Sequence, residues 1–264
     1  MKSERPLIIA HRGASALAPE NTFAAFQKAI VAAADGIEFD VRLARDGVPI
    51  VFHDATLARL AKIKRRVADF TSEELNKIDV GSWFNRAFPR RADDKFSAEI
   101  IPTLAQLLKF LDGYQGLIYV ELKGRDSEMF ALAEAVCDLI RQTNLLPNII
   151  VKSFNLEAVK IAKQLLPEVR TAALFEPKVL TMLGKKKRIL EAAQKCNADE
   201  ISLHRSLATK SFVRRATEKN LPVTIWTADN PVWVKRAFDS GINAIITNNP
   251  AYLLEKRDEI LRRI

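Results

Sequence analysis

The sequence predicts an α/β fold, a (β/α)8 TIM-type barrel, and three observations carry that reading. Short apolar runs alternate with amphipathic helical stretches along nearly the whole chain, the pattern of a parallel sheet with crossover helices. The runs begin near Leu7, Gly36, Leu117, Asn148, Val169, Glu200, Pro222 and Asn243, a count of eight. No Gly-rich dinucleotide fingerprint follows the first run, which disfavours an open doubly wound sheet. Residues 1–264 are therefore read as a single barrel domain, distorted by a β-hairpin after strand 2 and by a small insertion over residues 55–101.

Leu7-Ile8-Ile9-Ala10 is a run of the kind buried in parallel sheets, and it ends at His11-Arg12-Gly13. A helix follows, capped at Asn21 or Thr22, with Phe23, Phe26 and Ile30 on its apolar face. Strand Gly36 to Leu43 leads through Ala44-Arg45-Asp46-Gly47 into Val48 to His53. Four residues cannot carry a parallel crossover, and Asp-Gly between apolar strands signals a hairpin. A two-residue turn puts His53 opposite Asp40 and a four-residue turn puts it opposite Glu38; a slip of one residue turns it to the other face.

The segment 55–101 is irregular and basic, read as an insertion with one or two small helices, one of them capped by Thr71 and Glu74. A capping box at Thr103 and Gln106 then starts a helix with Leu104, Leu107, Leu108 and Leu111 on one face. Helices follow from about Ser127 to Asn144, after Asn155, up to about Asn197, and from about Ala208 to Asn220. The next has Asn230 as cap and Pro231 in its first turn, and a last helix closes the chain.

Composition narrows the class of protein. Among 264 residues, 48% are hydrophobic and 28% charged, enough apolar residues for a large core in a water-soluble chain. No apolar run approaches the roughly 20 residues of a membrane helix, and Met1 to Pro6 leads into the first strand without a signal core. Cys137 and Cys196 lack ligand-like spacing and are read as reduced, buried and structural, in keeping with a cytoplasmic setting. The net charge of +9 is concentrated in Lys62-Ile63-Lys64-Arg65-Arg66 and Lys185-Lys186-Lys187-Arg188. Such runs most often form solvated faces. No nucleic-acid motif accompanies them, and neither adjoins the exposed apolar stripe that firm membrane attachment requires, so at most weak membrane-surface contact is expected.

The chemistry concentrates at the predicted strand ends, where barrels of this kind place their active sites. Glu38 and Asp40 alternate on one strand, so both carboxylates share a face about 7 Å apart and repel unless a cation stands there. Glu121 and Lys123 repeat that alternation on the predicted neighbouring strand. Three carboxylates with no cysteine make a hard-oxygen site suited to Mg²⁺ or Ca²⁺. Arg12 and Lys123 add positive charge fitted to a phosphate, and His11 and His53 bracket the acids as a candidate acid–base pair. Trp226, at a strand's end, is read as pocket lining, and His204 as structural or pocket lining.

These residues resemble a known family. His11-Arg12-Gly13, Pro19-Glu20-Asn21-Thr22, Glu38-Phe39-Asp40-Val41, Asp46-Gly47, His53-Asp54, Ile101-Pro102-Thr103-Leu104, Glu121-Leu122-Lys123, Ser153-Phe154 and Trp226-Thr227 are similar, in order, to motifs of the glycerophosphodiester phosphodiesterases. The resemblance implies hydrolysis of a small-molecule glycerophosphodiester to sn-glycerol 3-phosphate and an alcohol. It implies His11 and His53 as the catalytic pair, and Glu38, Asp40 and Glu121 as ligands of one divalent cation. It also implies phosphate contacts from Arg12 and Lys123, and a glycerol pocket lined by Phe154 and Trp226. Two positions depart from the pattern: Asn248 replaces the usual aspartate after the last strand, and Ala44-Arg45 stands where a threonine is common. The alternatives are a lysophospholipase D-like activity at the same site, and a catalytically silent barrel that binds phospholipid surfaces.

Overall fold

The computed structural model describes residues 5–178 and 187–262. Eight parallel strands close into a barrel: β1 (Leu7–His11), β2 (Gly36–Leu43), β4 (Leu117–Leu122), β5 (Ile149–Ser153), β6 (Arg170–Phe175), β7 (Glu200–His204), β8 (Val223–Trp226) and β9 (Ala244–Thr247). Strand order follows chain order, and β1 pairs with both β9 and β2, so the sheet has no free parallel edge. The strands read as continuous apolar runs because both faces are buried.

Alternation along each strand then sorts the side chains. Ile37, Phe39 and Val41 point outward and pack beneath helices with Leu104, Leu107, Leu132 and Val136. Ile9, Tyr119, Ile150, Ala172, Ala244 and Ile246 point inward and fill the barrel.

The outer helices start where the capping residues were read. Thr22 accepts from the Ala25 amide at the start of α1 (Phe23–Val31). In the insertion lie α2 (Ala58–Ala61), α3 (Ser72–Leu75) with its Thr71–Glu74 capping box, and α4 (Ser82–Ala87). The Thr103–Gln106 box opens α5 (Leu104–Phe110). The helix read as Ser127 to Asn144 is shorter, with α6 spanning Met129–Arg141 after a 3-10 turn. Asn155 caps α7 (Leu156–Leu165), and Thr209 caps α9 (Lys210–Thr217); between them lies α8 (Lys187–Lys195). Asn230 still bonds the Val232 amide, but Pro231 is the flanking residue rather than part of α10 (Val232–Ser240). Finally, α11 spans Pro250–Leu261. Among the described residues no helix is long and apolar enough to cross a membrane.

The hairpin differs from both expected registers. β3 (Pro49–Val51) pairs antiparallel with β2, with Val41 opposite Val51 and Leu43 opposite Pro49. The Ala44 amide bonds the Val48 carbonyl, so the turn is the three residues Arg45-Asp46-Gly47, with Gly47 at φ +76°. Asp46 is drawn aside to bond the Ser72 amide at the start of α3. Phe52, not His53, therefore lies opposite Asp40 and donates to its carbonyl. His53 escapes the wrong face because β3 has ended; the chain bends, and Arg42 Nε holds the His53 carbonyl at 2.8 Å. The insertion packs its own small apolar cluster, Leu57, Leu60, Val67, Leu75, Val80 and Ile101, onto Ile50 and Phe52 of this hairpin.

Candidate active site

Inward alternation carries a set of polar side chains to the C-terminal end of the barrel: His11 on β1, Glu38 and Asp40 on β2, Glu121 on β4, Lys152 on β5 and His204 on β7. Lys123 and Phe154 lie one residue beyond β4 and β5. Register keeps the acids level, since Asp40 stands beside Glu121 and Glu121 beside Lys152. The turn after β1 is tight. Arg12 adopts φ +55°, and at Gly13 (φ +77°) a Cβ would meet the Ala25 carbonyl carbon at 2.6 Å, so glycine is required there.

Glu38, Asp40 and Glu121 are 0%, 1% and 5% exposed and each offers an oxygen within 4.8 Å of the others, a group that could hold a metal ion. One oxygen of each carboxylate is buried and met by a lysine ammonium: Glu38 Oε1 by Lys152 at 2.8 Å, Asp40 Oδ1 by Lys123 at 3.4 Å and Glu121 Oε1 by Lys123 at 2.5 Å. Three buried carboxylates this close together repel unless cations stand among them, and their hard oxygens suit a divalent ion as well as the lysines. Three side-chain cations also reach the cluster. Arg12 Nε is 3.1 Å from Asp40, and Lys123 Nζ is 2.5 Å from Glu121 and 3.4 Å from Asp40. Lys152 Nζ is 2.8 Å from Glu38 and 3.2 Å from Glu121. Burial pushes the Asp40 carboxyl upward, but Arg12, Lys123 and the two imidazoles outweigh it and hold it well below the usual carboxylate range. Burial likewise opposes ionised Glu121, and Lys152 and Lys123 overcome it. Both lysines stay cationic in turn, their burial outweighed by these acids.

The histidines are held from behind in different ways. His11 Nδ1 lies 2.7 Å from Asn248 Oδ1, and the Asn248 amide nitrogen donates to Asp229 at 2.8 Å. That fixes the asparagine with its oxygen toward the ring, so His11 Nδ1 carries the hydrogen and Nε2 faces Glu38 at 3.9 Å. Burial lowers the His11 pKa against the opposing pull of Glu38, so the ring is neutral at pH 7. His53 Nδ1 lies 2.6 Å from the Asp54 carboxylate, which Arg59 of α2 also holds, at 2.6 Å. Arg59 further clamps Glu20, and Glu20 accepts from Arg12, so the insertion braces both the histidine and the arginine. Asn21 completes this support, its amide donating to Asp40 at 3.0 Å.

At the rim, Phe154 and Trp226 meet edge-to-face at 5.4 Å, with Lys123 Nζ 5.6 Å from the Phe154 ring centre. His204 meets Trp226 edge-to-face at 5.4 Å and bonds Ser206, outside the acid cluster. Of the first basic run, Lys62, Lys64 and Arg65 are exposed; Arg65 lies over the Phe70 ring, and Arg66 reaches Glu128 beyond β4. Lys185 and Lys186 of the second run lie outside the described residues. A cavity of about 940 Å³ beside Pro6, Pro222 and Asn243 is at the opposite end of the barrel and touches none of the site residues.

Sequence reasoning did not single out Lys152, Arg59 or Asp229. Lys152 had a signal: a lone charge inside the run Ile149-Ile150-Val151-Lys152, on a strand buried on both faces, must find a partner. Arg59 and Asp229 had none, since each meets its partner only through the fold.

A model of the "Glycerophosphoryl diester phosphodiesterase family" matches residues 11–252. YhdW of Bacillus subtilis (strain 168) is 34% identical over 248 residues, covering 94% of this chain and 96% of its own. A glycerophosphodiester phosphodiesterase of Caldanaerobacter subterraneus is 30% identical over 252 residues, covering 95% and 97%. A solved phosphodiesterase of Oleispira antarctica, in complex with the product sn-glycerol-3-phosphate, superposes with a TM-score of 0.84 at 25% identity, covering 96% of this chain and 97% of that one. The chain belongs to the glycerophosphoryl diester phosphodiesterase family.

Proposed function

We propose that this protein hydrolyses glycerophosphodiesters to sn-glycerol 3-phosphate and an alcohol, with His11 and His53 as the acid–base pair and Glu38, Asp40 and Glu121 holding one divalent cation, Mg²⁺ or Ca²⁺. The observation that carries the reading is the trio of buried carboxylates, with oxygens within 4.8 Å of one another, together with two oriented imidazoles. When bound, such an ion offsets the phosphate's charge and stabilises the developing oxyanion.

The remaining steps belong to the chain's own groups. His11 is neutral, with its Nδ1–H spent on Asn248, so Nε2 accepts the proton of the attacking hydroxyl. His53, its Nδ1 anchored on the Asp54 carboxylate, is the donor to the leaving alcohol. Arg12 and Lys123 supply positive charge to the phosphate, and the Phe154–Trp226 corner takes the apolar edge of glycerol. The two free, buried cysteines support a reducing, cytoplasmic setting. Turnover of glycerophosphocholine with and without a chelator is the test. Activity abolished by chelation and restored by Mg²⁺ or Ca²⁺ is the expected result; full activity in chelator overturns the assignment of the metal.

A further inference from the structure

The three cations around the carboxylates are not equivalent. Arg12 and Lys123 stand at the mouth, each about 15% exposed, where they can turn toward a substrate phosphate. Lys152 is 2% exposed and rises from β5, with its Cα level with Glu121. It is almost wholly buried and is paired with two acids. Its ammonium spans Glu38 Oε1 at 2.8 Å and Glu121 Oε2 at 3.2 Å, two of the three residues proposed to hold the divalent ion. Among the described residues the cluster thus sets three carboxylates against three cations, one of which is buried beneath the mouth.

We propose that Lys152 is a built-in counter-cation that positions Glu38 and Glu121 and keeps the affinity of the site for a divalent ion weak. The inference rests on the metal reading above. Two consequences follow from Coulomb's law in a buried site. An arriving dication meets a fixed positive charge a few ångströms away, which opposes binding. The metal-free protein, already neutralised by its own side chains, gains little stability from the ion. Lys152 does not touch substrate; it is a positioning residue that acts through the two glutamates.

The test uses the full chain, stripped with chelator and titrated with Mg²⁺ or Ca²⁺ by calorimetry, with melting curves in parallel. The wild type is expected to bind more weakly than about 10⁻⁵ M, toward the weak end of protein Ca²⁺ sites, and to melt at nearly the same temperature with and without chelator. Lys152→Met and Lys152→Gln are expected to bind at least about tenfold tighter. They should also melt lower when metal-free and gain more from the ion. Lys152→Arg, which keeps the charge, should return the affinity toward wild type. Equal or weaker binding by the two charge-removing variants overturns the proposal. So does a wild-type constant tighter than about 10⁻⁵ M with a large loss of melting temperature on chelation, a result that stands even should both variants fail to fold. Absence of binding by the wild type and all variants instead overturns the metal reading beneath it.

Discussion

Below the carboxylate cluster, the barrel interior holds a fourth acid whose environment makes a quantitative prediction. Glu200, at the start of β7, is 6% exposed and accepts hydrogen bonds from Tyr119 Oη at 3.3 Å and Thr224 Oγ1 at 3.2 Å. Burial dominates, the hydrogen bonds and the more distant Arg170 and Lys152 offset it only in part, and the pKa is raised from 4.5 to about 7. A folded-state pKa above the unfolded one means the native protein keeps a proton that the unfolded chain releases. Stability is then fully present below about pH 4.5 and is lost as pH rises to about 7. The rise is worth about 3 kcal/mol, nearly all of it expressed by pH 8.

Glu200→Gln mimics the protonated acid in shape and hydrogen bonding, so it removes the loss. The variant should exceed wild type by about 3 kcal/mol at pH 8, or about 6–12 °C in Tm, with the gap shrinking to about 1 kcal/mol at pH 5. Urea unfolding followed by circular dichroism at pH 5, 6, 7 and 8 measures the difference directly. Stability curves that run parallel across this range, or a glutamine variant less stable at pH 8, would falsify the assignment of a neutral buried Glu200.

The other predictions concern the site. His11→Ala and His53→Ala should each lower kcat by roughly 10²- to 10⁴-fold, whereas His204→Ala, placed outside the acid cluster, should do far less in the same steady-state assay. Asn248→Asp puts a carboxylate behind His11 Nδ1, which favours the protonated ring; the acid limb of the kcat/KM profile should therefore move to higher pH, and an unmoved limb contradicts His11 as the base. Water-soluble diesters should be the preferred substrates: kcat/KM for glycerophosphocholine should exceed that for lysophosphatidylcholine, with negligible sedimentation on anionic vesicles at physiological salt. In the first basic run, Arg65 is already engaged with Phe70 and Arg66 approaches Glu128, which limits the charge free to act together on a membrane.

What the sequence made legible was what depends on local pattern. Period-2 alternation placed Glu38, Asp40, Glu121 and Lys123 at the strand ends, and the capping residues Thr103 and Asn155 marked helix starts to the residue, while the first helix was narrowed to Asn21 or Thr22. The hairpin shows the limit. An Asp-Gly pair signals a turn but not its length; that was settled by Asp46 reaching Ser72, across the start of the insertion. The register shifted by one, and His53 came into place only because the strand ends first. The support behind the histidines was less legible still, because Asp229, Asn248 and Arg59 come from segments whose meeting depends on barrel closure and on how the insertion folds back.

Lys152 changes how the carboxylates themselves should be probed. On the sequence alone, Glu38→Ala and Glu121→Ala are simple removals of a metal ligand, expected to fold normally. In the structure, Glu38 is the nearer of the two acids that neutralise a buried lysine. Taking it away leaves an ammonium buried with half its compensation, a change that typically costs about 3–5 kcal/mol. Lost activity in Glu38→Ala then mixes loss of a ligand with loss of the fold around it. Glu38→Gln keeps an oxygen toward Lys152 while weakening the ligand, and pairing Glu38→Ala with Lys152→Met removes both halves of the buried pair. If the double variant regains the melting temperature that Glu38→Ala alone loses, the lysine is the source of the damage, and the remaining deficit in metal binding belongs to Glu38.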